Sequence, residues 1–222
     1  MKQSIFLLTM ISAAYAGIAC AQDQSFYAGL GIGKSSAGVP EITRQDILDY
    51  GFTTLNNYQN STSKSDTAWK LYGGYRFNPN VAAELFYANL GKFTRDASGN
   101  VAVGSSSSVN FSLGSELKIT GFGIAALLGA PLSDQWNVFA KPGLLVWDAK
   151  YTATFTSPGT SPGQSTTSKS GTSPSFGVGT SYAFTDKLSA RIEWERYFDV
   201  GDKNATGKSN VNLFALSVQF TP

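Results

Sequence analysis

From residue 25 to residue 220 apolar side chains recur at every second position, and the spacing of an amphipathic helix appears almost nowhere. That period belongs to β-strands, and it marks eight segments: 25–34, 67–77, 81–90, 115–130, 136–155, 175–184, 188–198 and 210–220. Asn78-Pro79-Asn80, Pro131 to Gln135 and Thr185 to Lys187 are tight turns, whereas 35–66, 91–114, 156–174 and 199–209 are long connections. Short and long connections alternate strictly. The expected fold is therefore all-β, an eight-stranded antiparallel up-and-down transmembrane β-barrel with short turns on one side of the membrane and long loops on the other.

Alternation alone does not say which face is wet, because a soluble barrel or sandwich also alternates. Face composition discriminates. Phe176, Val178, Thr180, Tyr182 and Phe184 oppose Gly177, Gly179, Ser181 and Ala183; Ala190, Ile192 and Trp194 oppose Ser189, Arg191, Glu193 and Glu195. Glycine weakens a strand and offers water nothing, so a face of small residues with a few charges of both signs suits a narrow lumen. The bulky apolar face then meets lipid. Trp69, Phe77, Trp136, Tyr151, Tyr182 and Phe184 lie near strand ends, where interfacial aromatic girdles are expected.

The long connections are polar. The stretch 156–175, TSPGTSPGQSTTSKSGTSPS, is of low complexity, and burial of apolar surface cannot order it. Within the first connection, 42–51 has the pattern of a short helical turn.

At the N-terminus, Lys2, the apolar stretch Ile5 to Ala19 and Ala19-Cys20-Ala21 together read as a secretory signal peptide over 1–21, leaving a barrel domain over 22–222. A rival reading makes Cys20 a lipidation site, although Gly17 stands where such signals place Leu. Without a second cysteine there is no intramolecular disulfide.

Several chemistries are closed. The sequence has no histidine, which removes Ser-His and Cys-His pairs and ordinary zinc sites. The 17 basic and 15 acidic residues are scattered, so no electrostatic footprint for nucleic acid exists. Ala28 to Ser35 (AGLGIGKS) has the relaxed spacing of a phosphate-binding loop, but such a loop opens a helix, and Gly38 and Pro40 follow here. Its glycines, at 29, 31 and 33, fall on every second residue, as a strand facing a tight lumen requires. No catalytic residue, cofactor or metal is expected.

The charges assigned to the interior are Arg76, Glu84, Lys141, Arg191, Glu193 and Glu195. Isolated charges in a narrow lumen are costly, so these are expected to pair. The pairing reads as a structural network, with a gated small-solute path as the alternative.

GGYRFNPNVAAELFYANLG (73–91), SARIEWERY (189–197) and VNLFALSVQF (211–220) resemble the eight-stranded transmembrane domain of OmpA-like outer-membrane proteins. The resemblance implies an interior acidic residue on the third strand paired with a basic residue on the seventh, positions that Glu84 and Arg191 match, and a basic interior position matched by Lys141. Leu127 and Ser181 stand where the family has a basic residue and a Glu, so a gate working by partner exchange does not carry over intact. Phe214, Leu216, Val218 and Phe220 look like the assembly signal read by the barrel-insertion machinery, with Thr221 and Pro222 following the usual terminal aromatic. The family's peptidoglycan-binding domain is not expected, since the sequence ends with the eighth strand.

The expected protein is a monomer of the bacterial outer membrane, surrounded by lipid and lipopolysaccharide. Its role would be membrane integrity, adhesion or host interaction through the loops, and a narrow porin-like channel is the runner-up.

Overall fold

The computed structural model describes residues 25–49, 54–103, 107–158, 161–203 and 205–222. The expected signal segment and Cys20 lie outside them. The elements are β1 (Ser25–Ala37), α1 (Arg44–Leu48), β2 (Leu55–Ser63), β3 (Ser65–Asn78), β4 (Val81–Val103), β5 (Ser107–Pro131), β6 (Trp136–Thr156), β7 (Gly163–Ala183), β8 (Leu188–Asp202) and β9 (Gly207–Phe220).

Eight of these strands close a ring in the order β1-β3-β4-β5-β6-β7-β8-β9, with every neighbouring pair antiparallel and β9 returning to β1 through Ala28↔Phe220 to Ala37↔Val211. The ninth, β2, lies outside the ring and prolongs β3 along the outer part of β4. Side chains close the three tight turns: Asn78 Oδ1 accepts the N–H of Val81 at 2.9 Å, Ser133 Oγ that of Trp136 at 3.1 Å, and Thr185 Oγ1 that of Leu188 at 3.0 Å.

Outward positions are apolar and open: Leu30, Ile32, Leu85, Phe122, Leu216 and Val218 are all more than half exposed. Monomers in water rarely expose contiguous apolar patches beyond a few hundred Å², and this belt runs around the ring. It is the surface of a protein in lipid. Near the tight turns, Trp136, Tyr182 and Phe184 stack in sequence, with ring centroids 4.9 and 5.2 Å apart. Tyr151 departs from the expected girdle, because odd-numbered positions of β6 face inward; its hydroxyl accepts from Arg95 Nη2 at 3.2 Å.

Inward, large rings lie across the directly opposite glycine of the next strand. The register pairs Tyr27 with Gly74, Tyr72 with Gly29, Phe86 with Gly123, Phe139 with Gly179 and Trp147 with Gly171. At each glycine an added Cβ would strike that ring. The glycine-rich strands thus provide the space in which aromatic rings fill a narrow lumen.

Two strands change face through bulges. On β4 the register shifts between Asn89 and Lys92, around Gly91 at φ +80°, so Leu90 and Phe93 are both buried. On β8 Asp199, at φ +55°, does the same between Tyr197 and Val200.

The long connections differ from expectation. Of 91–114 and 156–174, most is strand: β4 and β5 extend to Val103 and from Ser107, β6 and β7 to Thr156 and from Gly163. The Ser/Thr-rich stretch pairs with β6 from Phe155↔Gly163 through Gly143↔Ser175. Backbone hydrogen bonds to a template strand order it without apolar burial. Past the membrane the ring opens into a wall of β2, β4, β5, β6 and β7, since the backbone pairing of β7 with β8 runs from Ser175 inward. The helical turn expected at 42–51 is α1, capped by Thr43 and seated through its Ile47 on Leu55, Val101 and Phe111.

Candidate functional site

Midway through the lumen, six charged side chains from four strands form one cluster. Lys70 comes from β3, Glu84 from β4, Lys141 from β6, and Arg191, Glu193 and Glu195 from alternate positions of β8. Each is at most 3% exposed. Arg191 Nη1 lies 2.7 Å from Glu84 Oε2 and Nη2 lies 2.6 Å from Glu193 Oε2. Lys141 Nζ is 2.7 Å from Glu195 Oε1, 3.7 Å from Glu193 Oε2, and also paired with Glu84. Lys70 Nζ is 3.0 Å from Glu195 Oε2 and paired with Glu193.

The cluster is balanced, with three cations and three anions, and every member has at least two opposite partners. Neutral groups satisfy much of the rest: Tyr197 OH donates to Glu195 Oε2 at 2.7 Å and Tyr27 OH to Glu84 Oε2 at 3.4 Å. Rings enclose the cations. The Arg191 guanidinium lies between Tyr72 and Phe139, at 4.7 and 4.6 Å from their centroids, and Lys141 Nζ is 4.8 Å from that of Phe86. A carboxylate held by two cations is a poor general base, so the arrangement suits closure of the lumen better than proton transfer.

Of the expected interior charges, Glu84, Lys141, Arg191, Glu193 and Glu195 meet in this cluster. Arg76 does not: it lies toward the tight turns, half-buried, with its guanidinium carbon 6.0 Å from the Tyr27 ring. Lys70, which the sequence pattern does not single out, shares a face of β3 with Arg76, six residues away. Phe214, Leu216, Val218 and Phe220 all face outward on β9 and are more than half exposed.

A second feature lies outside the membrane belt. A cavity of about 910 Å³ separates the α1 segment from the inner side of the wall, lined among others by Ile42, Ile47, Arg95, Leu113, Tyr151 and Phe155. Arg95 Nε donates to Ser115 Oγ at 3.2 Å. On the facing segment Asp46 accepts from the Thr43 N–H at 2.7 Å, and the Thr43 backbone and hydroxyl hold its carboxyl below the usual aspartate range. Among the described residues there is no cluster of metal-ligating side chains and no helix long and apolar enough to cross a membrane, which says nothing of strands.

Comparison with known proteins gives matches over nearly the whole chain. The OmpA-like transmembrane domain family matches residues 21–222. Outer membrane protein A of Shigella dysenteriae is 28% identical over 99% of this chain and 55% of its own length. That of Klebsiella pneumoniae is 27% identical over 91% of this chain and 52% of its own. The chain thus spans about half the length of these curated relatives. Among solved structures, Neisserial surface protein A is 15% identical with a TM-score of 0.47, covering 90% of this chain and 99% of its own.

Proposed function

The chain belongs to the OmpA-like transmembrane domain family, and from that premise we propose that it works in the bacterial outer membrane as a closed structural barrel that displays a β wall and loops for surface contact, not as an enzyme. The observation that carries the closed lumen is the buried cluster itself. Glu84 and Arg191 sit on strands on opposite sides of an eight-strand ring and touch at 2.7 Å, with rings filling the space around them. Membrane integrity follows from a wall that lipid covers outside and ion pairs fill inside. Adhesion or host contact would fall to the segment 38–64 and to the wall formed by the outer parts of β4 to β7.

The purified protein, refolded in detergent and moved to a planar bilayer, should give no steady unit conductance. A reproducible open level in the native protein would overturn the closed reading. One observation favours the runner-up, a narrow small-solute channel: Lys141 lies within 4 Å of three carboxylates and is able to change partners. In that case neutralising Glu84 or Arg191 should alter conductance. For the surface role, removing residues 157–172 should abolish cell attachment while the barrel still folds.

A further inference from the structure

Arg76 and Arg191 share a small cavity that the lumen cluster leaves open at the tight-turn end. About 40 Å³ in volume, it is lined among others by Tyr27, Arg76, Asn137, Ser181, Arg191 and Gln219. Among the described residues no carboxylate lines it. The two carboxylate partners of Arg191 take Nη1 and Nη2, and its Nε, buried, has no hydrogen-bond partner among the described residues. Arg76 forms no ion pair among the described residues, and Leu127 on the β5 wall and Ser181 on the β7 wall bring no charge.

The local balance is therefore positive. The six-residue cluster is neutral in itself, so Arg76 adds an uncompensated cation to a cavity that Arg191, whose buried Nε–H has no acceptor among the described residues, also lines. Burying such a donor without a partner is costly, and a cavity needs only about 10–15 Å³ to hold one water-sized guest. Water would satisfy the donor but not the charge. From these residues we infer that the tight-turn mouth of the lumen is a binding site for a halide-sized monoanion, held by Arg76 and Arg191 Nε with polar help from Ser181, Asn137 and Gln219. Glu84, whose Oε2 lies against Arg191 Nη1, disfavours a second negative charge on the guest.

Chloride is the probe. Line broadening of the chloride-35 resonance is measured on the full chain in micelles, at constant ionic strength with gluconate as the replacing anion. The native protein should give saturable excess broadening. Arg76→Gln, which lies outside the ion cluster, should weaken it about tenfold, the scale of a lost charge-assisted contact. Ser181→Asp, which places a carboxylate in the cavity, should abolish it, while Lys92→Gln on the outer wall should leave it unchanged. Non-saturable broadening, or broadening equal in the native protein and both cavity variants, means the cavity holds water only and overturns the site. Tighter competition by phosphate than by bromide overturns the halide assignment.

Discussion

Arg191 and Glu84 are separated by 107 residues and face each other from opposite sides of the ring, yet the guanidinium Nη1 donates to the carboxylate Oε2 at 2.7 Å. The contact is a strut across the lumen. Removing one partner leaves the other buried and short of charge, which typically costs about 3–5 kcal/mol. Glu84→Gln and Arg191→Gln should each lower the urea midpoint of the vesicle-inserted barrel, read by gel mobility without heating. The double variant should lose less than the sum of the singles; strict additivity would show that the two do not act as a pair.

Lys70 offers a second test of the same cluster. It is fully buried and bridges Glu193 and Glu195, so Lys70→Met should destabilise on a scale like that of Arg191→Gln. Adding Glu195→Gln should recover part of the loss, because the excess negative charge disappears. If Lys70→Met unfolds at the native urea concentration, the cluster carries no stability through this residue.

The strands were legible because Leu30, Ile32, Leu216 and Val218 alternate with glycine, alanine and serine, and period two is a backbone property. The face assignment followed from bulk: glycine opposite a ring is an arrangement for tight space. What the sequence did not show was register. Lys70 lies in Ala68-Trp69-Lys70, an ordinary alternating run, and only cross-strand pairing brings it to Glu193 and Glu195. Arg76, on the same face, falls nearer the turn and misses the cluster. The order of 156–175 is not legible in the sequence, because apolar burial omits what a neighbouring strand supplies through its backbone.

Gly123 tests the ring-on-glycine packing. A Cβ there would lie 2.7 Å from Leu144 O and 2.6 Å from Phe86 Cε1. The Phe86 ring must then move, and with it the surface over which Lys141 sits. Gly123→Ala should destabilise the barrel by about 1–3 kcal/mol, the usual range for overpacking. Gly163→Ala, where no described residue lies within 4 Å, should leave the unfolding midpoint unchanged, and equal effects at both positions would contradict the packing account.

The cap of α1 makes a pH prediction. Thr43 donates from its backbone N–H and its hydroxyl to the Asp46 carboxylate, and Asp46 N–H returns a bond to Thr43 Oγ1 at 3.2 Å. These bonds hold the Asp46 carboxyl below its ordinary value. A carboxyl depressed in the folded state stabilises that state above the unfolded value of about 3.9 and ceases to as pH falls through the lowered folded value. Helical NMR shifts of residues 44–48 should persist from neutral pH to about pH 4 and fade below it. Asp46→Asn should remove that acid dependence, while Thr43→Ala should reduce helicity already at neutral pH.

Among the described residues the outer part of β7 has a paired strand on one side only. From Gly163 to Pro174 it pairs with β6, while β8 joins it first at Ser175. In an antiparallel ladder alternate N–H groups point to opposite neighbours, so over 164–173 every second amide bonds to β6 and the others face outward. Hydrogen exchange should therefore alternate, slow then fast, along 164–173, and become uniformly slow over 176–182, where both edges are paired. The open edge is also where an extended segment of another protein would add as a strand. Uniform slow exchange over 164–173 in the isolated protein would mean that something already covers this edge, and uniform fast exchange would mean that the β6–β7 ladder ends at the membrane belt.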